Sequence, residues 1–171
     1  MANNFVPAGG TALVYSWLNT LAEPDPGPLF WAALDQPLRW CLAQAWMMNN
    51  GYGASTERDV VAEQLSRVPS AHPLSSKLLA DTSAHMREVH ADLGEAPALV
   101  DVTDLVGMDM ELVVITSEDF VGEYLAGAHI PVHCFVTKLT DGEWRIAANA
   151  RRMPVPGWPP TENSIPGLAI D

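Results

Sequence analysis

The chain has 171 residues, 48% of them hydrophobic and 18% charged, the balance of a folded globular protein with a substantial core. Its 21 acidic residues against 9 basic ones leave a net charge of -12. That charge excludes a phosphate-binding nucleic-acid groove, the longest basic run being Arg151-Arg152, and disfavours an anionic membrane surface. No apolar run reaches the length of about 18 residues that a membrane span needs. The start, Met1-Ala2-Asn3-Asn4-Phe5, lacks the basic and apolar regions of a signal peptide, so a cytoplasmic protein is expected.

Leu13, Val14, Trp17, Leu18 and Leu21 recur at helical spacing, which predicts an amphipathic helix over residues 11 to about 22. Glu23-Pro24-Asp25-Pro26-Gly27-Pro28 breaks it, and a short helix through 29–34 follows. Asp35 is a good N-cap for the next helix, with Pro37 in its first turn, where a missing N–H costs nothing. Asn49-Asn50-Gly51 ends that helix with a left-handed cap. Ser55 or Thr56 can cap a further helix that stops at Pro69, and residues 74–93 read as a longer one closed by Gly94. Its stripe is Leu74, Leu78, Thr82, Met86, Val89 and Leu93. From Pro97 the period becomes extended, with strands predicted at 98–102 and 111–116.

The last pair is the clearest local signal. Runs 130–140 and 143–150 are separated by the two residues Asp141-Gly142, which is type I′ hairpin chemistry. That register sets Leu139 opposite Trp144, Thr137 opposite Ile146, Phe135 opposite Ala148 and His133 opposite Ala150, all on one apolar face. The opposite face, with Lys138, Arg145, Val136, Cys134 and Ala147, reads as mixed. Cys41 and Cys134 read as small packed thiols. Met153 to Pro160 cannot form helix or central strand, so an extended tail anchored by Trp158 is expected. The whole is expected to be one α+β domain.

Helices first, then an antiparallel meander ending in a Trp-containing hairpin, resembles the nuclear transport factor 2-like superfamily of cystatin-like cone folds. The resemblance is carried by the helical pair around Leu29–Asn50 and by the ending from His133 to Ala150. It implies a cone with a pocket between sheet and helices, and a homodimer formed through the outer face of the sheet. It implies no particular reaction, because such folds host isomerases, dehydratases, hydrolases and non-catalytic binding modules.

His129 and His133 share a strand parity across Pro131. If the strand is continuous, both face the apolar side, where an imidazole titrating near neutrality could do acid/base work. The plainer reading of the pattern, and the favoured one, is a satisfied core histidine and one at a strand end. Asp101, in a strand with apolar neighbours, could act as a base of raised pKa or be a polar-face residue. A metal would need a third ligand that no carboxylate supplies by spacing. The lack of a Gly-rich phosphate loop, a Gly-x-Ser-x-Gly elbow and a Cys-x-x-Cys leaves no cofactor expected. The leading expectation is therefore a pocket for a small apolar ligand, lined by Trp17, Trp40, Trp46, Phe135 and His129, with His133 and Asp101 as catalytic candidates. The alternative is a non-catalytic interaction module, in which the same tryptophans and Phe135 fill that space.

Overall fold

The computed structural model describes residues 7–52, 55–105 and 109–152, leaving out the side chains of residues 55, 56 and 105. The expected capping side chains of Ser55 and Thr56, and the tail with Trp158, lie outside the described residues. Five helices come first: α1 Gly9–Ala22, α2 Gly27–Ala32, α3 Gln36–Asn49, α4 Ser55–Ser66 and α5 Ser75–Val89. A 3-10 turn, Ala91–Leu93, follows α5. Strands β1 Pro97–Leu105 and β2 Met110–Ser117 lead into a 3-10 turn and the short helix α6 Val121–Leu125, then into β3 His133–Thr140 and β4 Glu143–Ala150. The fold is α+β, with one four-stranded antiparallel sheet in the order β1-β2-β3-β4.

Local chemistry sets most boundaries. Asp35 caps α3, its side chain accepting from Gln36 N at 3.0 Å, with Pro37 in the first turn. Gly94 closes the turn after α5 at φ +67°, and the hairpin corner holds Asp141 at φ +53° and Gly142 at φ +81°, the type I′ signature. Helix α1 lies against β2, β3 and β4. Its Val14, Trp17 and Leu21 join Phe30, Trp31, Leu42, Leu65, Met86, Val113, Ile115, Phe135 and Ile146 in one buried core. The buried indole N–H groups all find acceptors: Trp17 reaches Phe30 O at 3.0 Å, Trp31 reaches Leu65 O at 3.2 Å, and Trp46 reaches Asp81 Oδ2 at 2.9 Å.

Two expectations change. The hairpin register holds for Leu139–Trp144 and Thr137–Ile146, but a bulge between Val136 and Thr137 then moves Phe135 opposite Asn149 and Cys134 opposite Ala150. Its neighbour in space is the α2–α3 connection, which pairs with β4 at Ile146: Asp35 N donates to Ile146 O at 2.7 Å and Ile146 N to Ala33 O at 2.9 Å. Beyond the bulge, Asn149 joins the core side while Ala148 and Ala150 turn to the other face.

That other face carries Lys138 and Arg145 at the hairpin end but is apolar and buried over the rest of β2 to β4. Leu112, Val114, Cys134, Val136, Ala148 and Ala150 form a second buried cluster with Ile130 and Val132, against which Phe120 and Tyr124 pack. The chain's own 118–132 connection thus covers the face expected to serve a homodimer. No helix among the described residues is long and apolar enough to cross a membrane.

Candidate functional site

His133 opens β3 and projects into the core side, opposite Ile115 of β2, and is 1% exposed. Its Nε2 lies 2.7 Å from Asp92 Oδ1 in the 3-10 turn after α5. The other carboxylate oxygen, Oδ2, accepts from Arg151 Nη2 at 2.7 Å, just beyond β4. The ring of His90 lies 4.9 Å from the His133 ring, centre to centre, and 5.5 Å from Phe135, on which it stacks. Trp17 meets both His90 and Phe135 edge-on, at 5.3 and 5.9 Å. His90 Nδ1 lies 2.7 Å from the carbonyl of Met86, and its Nε2 lies 2.9 Å from the Asn149 amide.

These partners assign the protons. A carbonyl can only accept, so His90 carries its proton on Nδ1 and accepts from Asn149 at Nε2. Burial drives its pKa down to about 4, against the helping carbonyl of Met86, so the ring is neutral at pH 7. His133 is also depressed, first by burial, with Asp92 pulling the other way. It therefore donates Nε2–H to an ionised Asp92. Burial opposes the Asp92 charge, but His133 and Arg151 together outweigh it and hold that carboxyl below its ordinary value. The Nδ1 of His133 is buried and has no hydrogen-bond partner among the described residues. In this tautomer it presents a bare lone pair there rather than an unpaired N–H.

An Asp-oriented imidazole with a bare second nitrogen is the arrangement of a general base. Here it is sealed. The space between sheet and helices, lined by Trp17, Leu38, Leu42, Met86, Ile146 and Asn149, has a volume of only about 20 Å³ and does not include His133. That is room for one water. Larger openings among the described residues include a groove of about 390 Å³ between α1 and the end of α5, lined by Leu18, Leu21, Arg87, His90, Glu95 and Pro97.

Of the residues singled out from sequence, the structure gathers His133, Phe135 and Trp17 at one place. Trp46 is buried elsewhere, stacked on Tyr52 at 5.2 Å, and Trp40 is 40% exposed on α3. His129 is exposed ahead of β3, because the strand starts only at His133 and Ile130 and Val132 turn to the outer cluster. Asp101 is exposed on β1 opposite Val114, so it sits on the far face of the sheet from His133. A His133–Asp101 dyad is therefore ruled out; Asp92 is the partner. Sequence reasoning passed over His90, Asp92, Asn149 and Arg151. One signal was available: Leu78, Thr82, Met86 and His90 continue a buried stripe at intervals of four. Among the described residues, no group of three or more His, Cys, Asp or Glu side chains could hold a metal ion.

Comparison with known proteins finds no matching family model, no matching characterised protein and no matching solved structure. The likeness to the nuclear transport factor 2-like superfamily rests on the order of elements alone.

Proposed function

We propose that the protein is a non-catalytic interaction module that presents its surface, not an interior pocket, to its partners. The observation that carries this reading is the filled interior: Trp17, His90 and Phe135 occupy the space where a cone-fold enzyme would admit substrate, and they wall off His133. The His133–Asp92–Arg151 chain then serves as a fastener. It ties the start of β3 and the end of β4 to the turn after α5 with charge-assisted hydrogen bonds. Acylation of the native protein with diethyl pyrocarbonate, mapped by mass spectrometry, tests this. The exposed His85 and His129 should react, while His133 should stay unmodified until the chain is unfolded in denaturant. Native His133 reacting as fast as His129 would sink the reading, since it would expose the lone pair to small molecules.

A second reading is favoured by the groove beside α1. Its volume is in the small-ligand range, its floor is apolar, and it is lined by Arg87, which has no ion-pair partner among the described residues, and by Glu95. A small apolar acid would pair with Arg87 there, against the opposing charge of Glu95. Octanoate should then raise the melting temperature of the wild type and leave Arg87→Ala unchanged; an equal response of both proteins removes this site.

A further inference from the structure

The sheet has two edges, and the fold treats them differently. The β4 edge is occupied at Ile146 by the connection between α2 and α3, through the two backbone hydrogen bonds of Ala33 and Asp35. The β1 edge has no such cover. Tyr15 holds its start, donating to the Pro97 carbonyl at 3.2 Å and accepting from the Leu99 backbone, but from Val100 to Asp104 the outward backbone has no hydrogen-bond partner among the described residues. Asp101, Val102, Thr103 and Asp104 are all exposed, and Val102 is 37% exposed although it lies on the core-facing side, opposite Val113.

The charge on this edge has one sign. Strands β1 and β2 hold Asp101, Asp104 and Glu111 and no basic residue. Asp104 stands directly opposite Glu111, a like-charge cross-strand pair that costs stability. Glu111 is also committed inward, one oxygen accepting from Thr11 N at 3.2 Å at the start of α1. A positive side chain on a strand added beyond β1 would relieve the clash.

We propose that the free β1 edge is a docking edge for an extended, basic segment of another protein, which pairs with residues 100–104 as a fifth strand. The assignment rests on the interaction-module reading and names the surface it uses. Side-chain alternation specifies the segment further. Asp101 points to the outer face and Asp104 to the core side, so the partner needs basic residues three apart, one for each face. Between them, an apolar residue covers Val102 and a small polar one faces Thr103. A second copy of this chain does not fit, because it would bring its own Asp101 and Asp104 against the same edge.

The test uses the full chain and two labelled octapeptides: Thr-Val-Lys-Thr-Val-Lys-Thr-Val, and the same peptide with both Lys replaced by Glu. Fluorescence anisotropy should show the Lys peptide binding at least fivefold more tightly. The double variant Asp101→Lys/Asp104→Lys, both sites being exposed, should reverse that order. Hydrogen exchange should slow at amides within 100–104 when the Lys peptide is added. Binding of neither peptide, an order that the double variant does not reverse, or protection confined to another element overturns the assignment, as does a wild-type dimer that the Lys peptide cannot dissociate. If the peptides fail while His133 remains unreactive to diethyl pyrocarbonate, only the edge is wrong. A reactive His133 instead defeats the wider reading.

Discussion

His90 and His133 both hold protons less readily than a free imidazole, because each would have to carry charge where water cannot reach it. The groups facing them are Met86 O, Asn149, Asp92 and Arg151, and of these only Asp92 is anionic. In the unfolded chain both rings return to the ordinary value near 6.5, so below that pH the unfolded state binds more protons than the folded one. The stability from neutral burial is therefore full above pH 6.5 and is lost as pH falls toward the folded values. For His90, a drop from 6.5 to about 4 corresponds to about 3 kcal/mol at full effect, of which about 2 kcal/mol is gone by pH 5. Asp92 adds loss in the same direction only below the ordinary carboxylate range, where it too becomes protonated. Urea unfolding at pH 7.5 and pH 5.0 should show this loss in the wild type, and a shallower pH dependence in His90→Phe, which keeps the ring and removes its titration. Equal wild-type stability at both pH values would mean that the rings take up protons as readily in the folded chain as in the unfolded one.

At the level of elements, the tightest fit is the entry of α1 onto the sheet. A Cβ on Gly10 would overlap Thr137 Oγ1 and come within 2.6 Å of Glu111 Oε2, and Thr137 belongs to a central strand that cannot move aside. Gly10→Ala should therefore cost about 1–3 kcal/mol in urea unfolding, as overpacking does. Gly122→Ala in α6, with nothing within 4 Å of the added carbon, should be neutral or slightly stabilising; equal effects of the two would show that α1 does not sit as described. The same elements show what a sequence can reveal. Asp35, Pro37, Gly94 and Asp141-Gly142 announced their caps and turns because each acts on backbone within a few residues. The bulge at Val136 was hidden, because it goes with the pairing of β4 to Leu34, more than a hundred positions away. Asp92 was hidden likewise: it meets His133 across 41 positions and Arg151 across 59, and no local period encodes such a meeting. Helix α6 was missed because five residues are too few to show a period.

Across the whole molecule, the sheet is buried on both faces, by helices on one side and by the 118–132 connection on the other. Both large faces are thus spent on the fold itself, and new partners are left with edges and outer helix surfaces. A net charge of -12 biases those partners toward basic ones and slows encounters between copies. The strap of Ala33–Asp35 across β4 has a consequence for assembly. A sheet with two open edges can recruit copies end over end, each addition presenting a fresh template, which is the route to fibrils. With the β4 edge strapped, copies of this chain cannot stack head to tail, β4 of one on β1 of the next, and a pairing of β1 with β1 closes on itself. Self-association through this sheet therefore stops at a pair, so the protein can leave one edge open without becoming a monomer for polymerisation.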